Sequence, residues 1–309
     1  MVFHVAIIPS QGYAWAYNPE PSEEEEDTKY IQVHPYNQDV TITDVEPIFQ
    51  KLISNLDGQK LGCVAILMET FYREYYENNC RQKFLECAKL HGCEKVEIID
   101  FYSMIYGNFL SQAKIVPKDG DVIWIFRDDI SFIWQKINGK GKFVGDFLWY
   151  NEFSAKMLND MRHSSSQIDK DPDIILYLEM REFNEKIVKD VFPNSLVVSC
   201  RSEDVFIGTL KKARIMSGEA ELVGMEAEAV LEQDIIVKMG DKLIMVIKGL
   251  QSLPITQRAE INRTENETDL QIIYEYHIYT KKLPESNIFT LEVTADTNGI
   301  ITTTFYNKQ

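Results

Sequence analysis

Apolar residues recur with helical period over residues 43–56. Val45, Ile48, Phe49, Leu52, Ile53 and Leu56 share one face, Thr43 and Glu46 form a capping box, and Gly58 follows the end. One face of this helix must be buried. Before it, residues 4–8 are strand-like, and residues 18–29 (NPEPSEEEEDTK) read as an exposed loop or short linker. After it come a short apolar strand at 63–68 and a long helix near 71–91 stopped by Gly92. A strand at 95–99 and a helix near 101–112 follow. The alternation is β-α-β-α.

Residues 120–143 (GDVIWIFRDDISFIWQKINGKGKF) predict a hairpin. Val122, Ile123 and Ile125, then Ile130, Phe132, Ile133 and Trp134, are strand formers. Arg127-Asp128-Asp129 is a tight turn, and Asn138-Gly139 closes a second one. Next are a helix near 152–161, a polar loop, a strand at 173–178, a helix at 181–191, a strand at 196–198 and a helix at 203–217. This pattern predicts an α/β domain over residues 1–217 with helices on the sheet faces. From Gly218 the period becomes two, with strands expected at 234–239, 243–248, 255–263, 270–279, 289–295 and 300–305. Gly240-Asp241 and Asn298-Gly299 supply turns. Residues 218–309 therefore read as an all-β second domain, a β-sandwich.

Composition narrows the function classes. A chain of 309 residues, 45% hydrophobic, can bury two domain cores. No run approaches the roughly 18 apolar residues of a membrane span, and the start MVFHVAIIPSQG resembles no secretory leader. A cytoplasmic or nuclear location is expected. The net charge of −16 argues against nucleic acid and anionic membrane as partners. Cys63, Cys80, Cys87, Cys93 and Cys200 lack the paired spacing of a zinc module and read as reduced, mostly buried thiols. His4, His34, His91, His163 and His277 are scattered and suggest neither a metal site nor a triad. Glu69, Glu74, Glu77 and Asp100 could be drawn as an acid pair, but charges so spaced usually form solvated faces. The aromatic run at 71–76 is more economically core than binding surface.

Several segments resemble, in order, the 70-kDa heat-shock protein family. FTLEVTADTNGI is similar to the family's V-T-F-D-I-D-A-N-G-I, with Asp296, Asn298, Gly299 and Ile300 in place, and VIKGLQSLPITQRAEI to its I-x-R-N-T-x-I-P, with Lys248 and Pro254. In the first domain Phe71, Ala88, Ile98-Ile99 and Tyr106-Gly107 keep the family's spacing around the strand and helix before its second phosphate loop. AIIPSQGYAWAY falls on the first phosphate loop, G-I-D-L-G-T-T-Y, and GDVIWIFRDDISFI on the second, D-L-G-G-G-T-F-D. PDIILYLEMREF falls on the adenosine-side motif V-L-V-G-G-S-T-R. The resemblance implies a shortened, actin-like (ribonuclease H-like) domain followed by a peptide-binding type of β-sandwich without its helical lid.

The residues that carry ATP chemistry in that family are replaced here. The first loop has Ile8 for the aspartate and Ser10 for a glycine, with Pro9 removing a backbone donor. The second has Phe126 for the aspartate, and Asp128, Asp129 and Ile130 for three glycines; Ser131 and Phe132 stay close to type. A carboxylate about 4 Å from a phosphate charge costs roughly 4 kcal/mol at an effective dielectric near 20. The family's N-E-P-T glutamate becomes apolar, Ile98 or Phe101 depending on the gap. On the adenosine side Glu179, Met180 and Phe183 stand within the segment that replaces glycines and a stacking arginine. The sequence thus predicts no catalytic residue, cofactor or metal, and a pseudo-ATPase of the heat-shock chaperone type that works through protein-protein interaction. A J-domain protein or an extended peptide is the expected partner. Two alternatives stay open: a chaperone with a remodelled nucleotide site, and a structural subunit of a larger complex.

Overall fold

The computed structural model describes residues 2–20, 27–34, 45–68, 78–149, 153–164, 168, 170–179, 183–201, 207–263, 267–274 and 277–307. The first half of the α/β domain runs β1 (Val2–Ile8), β2 (Tyr13–Tyr17), β3 (Thr28–Gln32), α1 (Glu46–Asn55), β4 (Lys60–Leu67), α2 (Asn78–Leu90), β5 (Lys95–Ile99) and α3 (Phe101–Ala113). Its sheet has the order β3-β2-β1-β4-β5. The first three strands are antiparallel, and β4 and β5 continue parallel to β1.

The second half repeats this plan. It runs β6 (Val122–Arg127), β7 (Ile130–Ile137), β8 (Lys140–Leu148), α4 (Ala155–Ser164), β9 (Ile174–Leu178), α5 (Glu185–Val191), β10 (Leu196–Cys200) and α6 (Ile207–Ser217). Its sheet order, β10-β9-β6-β7-β8, is the first order read from the other edge. One βββαβαβα unit has been used twice.

Burial explains the strand sequences. β4 (KLGCVAIL) and β6 (VIWIFR) are almost continuously apolar because helices cover both faces of their sheets. On the outer face of the first sheet, Ile48, Phe49 and Leu52 of α1 and Phe84 and Ala88 of α2 pack on Val5, Ile7, Val64 and Ile66. The outer face of the second sheet is covered by Leu158 and Met161 of α4 and Val188 of α5, over Trp124, Phe126 and Ile175. Between the two sheets lie α3 and α6, whose Met104, Phe109, Leu110 and Ala213 share a core with Ala65, Leu67, Ile123, Ile125, Trp134 and Leu176. The two central helices meet at Gly208, where an added Cβ would lie 2.5 Å from the Met104 carbonyl oxygen.

Leu222, Met225 and Val230 still pack in this central core, and Leu231 begins the next. The C-terminal strands are β11 (Val230–Leu231), β12 (Ile235–Met239), β13 (Lys242–Ile247), β14 (Gln251–Ser252), β15 (Ile255–Asn262), β16 (Asp269–Tyr274), β17 (His277–Lys282), β18 (Ile288–Ala295) and β19 (Ile301–Asn307). Sheets β13-β12-β16-β17 and β15-β18-β19 face each other across Val237, Met239, Leu270, Ile272, Phe289, Leu291 and Val293, which makes a sandwich.

The sequence expectation of one strand over 270–279 is corrected: Tyr274 pairs with His277, so the segment is a hairpin of two strands. Glu275 and Tyr276 offer no glycine or proline to mark the reversal. The loop expected over 18–29 also ends earlier, since Thr28 and Lys29 begin β3. α5 starts at Glu185, after Asn184 whose side chain accepts from the Ile187 amide, rather than at 181. Thr43 of the capping box, and the aromatic run at 71–76, lie outside the described residues. Among the described residues no helix is long and apolar enough to cross a membrane.

The crossing at Gly208 yields a test. Alanine is about 1 kcal/mol the better helix former, but overpacking against backbone costs about 1–3 kcal/mol. Gly208→Ala is therefore expected to lower the unfolding free energy by up to about 2 kcal/mol in urea titration. A stabilised variant would contradict the close packing.

Candidate functional site

The first phosphate-loop position is the connection from β1 to β2. Pro9–Gln11 form a 3-10 turn that ends at Gly12, whose φ of 73° is left-handed. The Pro9 carbonyl accepts from the Gly12 amide at 3.1 Å and from His34 Nε2 at 2.7 Å. The Gly12 carbonyl accepts from the Val33 and His34 amides. Ile8 and Ser10 are buried. The turn is thus closed by its own bonds, and Pro9 has no amide to offer an anion.

The second position is the two-residue turn between β6 and β7. Asp128 takes a φ of 51°, a conformation that aspartate tolerates better than most residues. Both Asp128 and Asp129 are exposed. The Asp128 carboxylate lies 3.5 Å from Arg127 Nε, and the Arg127 guanidinium sits 5.4 Å from the centre of the Phe101 ring. The Asp129 carbonyl accepts from the Trp149 amide at 2.9 Å. Behind the turn, Phe126 pairs with Ser131 across the strands, and both are fully buried. Ser131 Oγ makes no hydrogen bond among the described residues, so the residue that stays closest to the family pattern is enclosed in the sheet.

On the adenosine side, Glu179 is exposed at the end of β9 and its amide donates to the Cys200 carbonyl. Phe183 stacks on Tyr177 with ring centres 3.8 Å apart and planes 10° from parallel, and edge-on against Phe126 at 5.4 Å. Aromatic side chains fill this end of the second sheet. Met180 lies outside the described residues. Of the two residues that could replace the N-E-P-T glutamate, Ile98 is buried, whereas Phe101 forms the platform under Arg127.

A denser polar arrangement lies where the sandwich meets the α/β domain. The expectation of a solvated Asp100 is corrected: its carboxylate accepts from the Ser103 amide and hydroxyl, capping α3, and from the Val230 amide of β11. Burial pushes its pKa up, against the three hydrogen bonds, which favour the charged form. Glu69, Glu74 and Glu77 lie outside the described residues. Glu232 accepts from the Phe101 amide at 2.8 Å. The turn between β18 and β19 docks on α2 and β5. The Asn298 side chain accepts from the Ile98 amide at 2.9 Å, its carbonyl accepts from Arg81 at 2.6 Å, and Asn78 exchanges two hydrogen bonds with Ile301. The sequence marks Asn298 as a turn residue but no docking role for it, Arg81 or Glu232, because these bonds span roughly 130–220 positions of chain.

Beside this docking surface is a cavity of about 440 Å³ lined by Glu97, Asp100, Lys140, Lys212, Glu226 and Thr297. Lys212 sits between Glu97 at 2.8 Å and Glu226 at 3.3 Å, and Lys140 lies 3.4 Å from Glu226. Burial works against charge on Lys212, but the two carboxylates more than offset it and raise its pKa. For Glu226 burial acts upward, and the two lysines more than offset it, holding the carboxyl below its ordinary value of 4.5. The histidines are not all isolated either: His91 meets Glu46 and Cys87 between α1 and α2.

No family model and no curated protein matches the chain. Solved structures similar to it include a ROK family transcriptional regulator, a homologue of the E. coli MLC protein, at 9% identity, with 72% of this chain and 78% of that one covered and a TM-score of 0.42. A Bacteroides thetaiotaomicron protein with an actin-like ATPase fold and unknown function is 9% identical, with 68% and 95% covered and a TM-score of 0.33. A non-polymerising mutant of MamK bound to AMPPNP is 6% identical, with 70% and 99% covered and a TM-score of 0.37. Likeness at this level carries no functional weight. The tandem units with matching strand order are themselves the architecture of the actin-like fold, here followed by a β-sandwich.

Because the folded pKa of Glu226 is depressed, its contribution to stability is complete above about pH 4.5 and is lost as pH falls through the folded value. Glu226→Gln is expected to cost about 1–2 kcal/mol at pH 7, between the ranges for exposed and buried pairs. The difference from the parent should shrink below pH 4.5 in urea titrations across pH. A difference that does not change with pH would contradict the ion-pair assignment.

Proposed function

We propose that this chain is a divergent, lidless member of the 70-kDa heat-shock family that has lost ATP binding and works by holding protein partners. The observation that carries the reading is the state of the two hairpin turns at the phosphate positions. One is closed on itself through Pro9 and Gly12, and the other presents Asp128 and Asp129 where backbone amides would have to approach phosphate. The aromatic filling by Phe183, Tyr177 and Phe126 supports the same reading on the adenosine side.

The sandwich is the natural partner-holding element. Among the described strands its sheets end on β13 and β17 and on β15 and β19, and an extended peptide can add to such an edge, although at β19 Asn78 already holds Ile301 and Lys281 holds the Thr303 carbonyl. An extended peptide or a J-domain protein is the partner that the resemblance suggests, in the cytoplasm or nucleus. The acidic surface of a chain with net charge −16 suits basic protein segments over nucleic acid.

Calorimetric titration of the full chain with ATP and magnesium tests the loss of nucleotide binding. No saturable heat is expected, corresponding to a Kd weaker than about 1 mM. A micromolar Kd that is abolished by Ser131→Ala would overturn the proposal.

A further inference from the structure

A cluster on the outer face of the first half, away from the hairpin turns, has the chemistry of a metal site. Glu46 is the first residue of α1. Cys87 lies in the last turn of α2, and the amide of His91, just past its end, still donates to the Cys87 carbonyl, so the two side chains are one turn apart on one face. His91 Nε2 is 2.9 Å from one Glu46 oxygen and the Cys87 thiol is 3.1 Å from the other. The three donor atoms all lie within 4.8 Å of one another.

We propose that Glu46, Cys87 and His91 bind a zinc ion that ties α1 to α2. A thiolate, an imidazole and a carboxylate together match the ligand set of Zn²⁺, whereas magnesium and calcium prefer oxygen alone. Zinc bonds of about 2.0–2.3 Å in a tetrahedron put donors roughly 3.3–3.8 Å apart, so the two contacts to Glu46 would open by about half an ångström while the Cys87–His91 separation, within 4.8 Å, settles into the same range. The imidazole plane is already fixed, since His91 stacks on the buried Phe49 ring at 5.7 Å with planes 3° apart. Cys87 is buried, whereas the Glu46 side chain is 43% exposed and that of His91 21% exposed. The exposure of Glu46 and His91 puts the group at the surface, where a water can serve as fourth ligand. Binding releases the thiol proton to solvent, and the ion then bridges the start of one helix and the end of the other. Without metal the Glu46 carboxylate accepts from the Cys87 thiol and from Gln50 and pairs with His91.

Cobalt is the direct probe. The full chain, stripped of metal with a chelator and titrated with Co²⁺ alone, is expected to take up one equivalent. It should show a near-ultraviolet thiolate-to-cobalt band and visible bands of four-coordinate cobalt, all displaced by Zn²⁺. Cys87→Ser should abolish the thiolate band, and Cys93→Ser should leave it. Glu46→Gln and His91→Gln retain the thiol and should weaken Co²⁺ affinity at least about 10-fold, the smaller effect known for losing an outer-shell partner. These two variants decide the matter even if the serine variant does not fold. Absence of the thiolate band in the parent, its survival in Cys87→Ser, or unchanged affinity in both glutamine variants would overturn the proposal.

Discussion

The approach of α6 to α3 at Gly208 is the contact on which the first domain depends. Each half of the α/β domain has one sheet face covered by its own helix pair, and the other face would be bare apolar surface in isolation. The central helices close both bare faces at once, and only a glycine lets their backbones come close enough for Ala65 and Leu67 to share a core with Ile125 and Leu176. Leu222, Met225 and Val230 complete that core from the connecting segment, so the sandwich starts from a fixed point. Its position is then set by directional bonds, from Asp100 and Glu232 at one end to Asn78, Arg81 and Asn298 at the other.

In an actin-like fold the two hairpin turns face a ligand, and their backbone amides hold it. Here the Pro9 and Gly12 carbonyls of the first turn accept from Gly12, Val33 and His34, and the second turn presents two carboxylates and is held by the Trp149 amide. Among the described residues, the sandwich docks through hydrogen bonds between its own side chains and amides and those of the α/β domain. On the proposed reading, turns occupied in this way suit a holding role better than a cycle of nucleotide binding and release.

Much of the scaffold was legible in the sequence because burial leaves a periodic trace. The helix bearing Ile48, Phe49 and Leu52, the apolar strand from Cys63 and the hairpin around Asp128-Asp129 all stand close to where the pattern places them. The repetition of the two halves was not legible. VFHVAII and VIWIFR share only apolar character, so the duplication is visible in strand order and not in residues. The hairpin at Tyr274 and His277 was missed because alternation continues through its turn. Asp100 read as one more surface charge, since its partners Ser103 and Val230 include one that lies 130 residues away. Cys87 and His91 show helical spacing in the sequence, but Glu46 joins them only through folding.

On the proposed reading the fold is set without nucleotide and does not respond to it. Backbone hydrogen exchange of the full chain, with and without ATP and magnesium, tests this most directly. The same protection is expected in both conditions at the amides of Gly12, Val33 and Trp149 in the turns, and at Ile98, Phe101 and Val230 where the sandwich docks. Slower exchange in the turns together with faster exchange at the docking amides, on adding nucleotide, would contradict it.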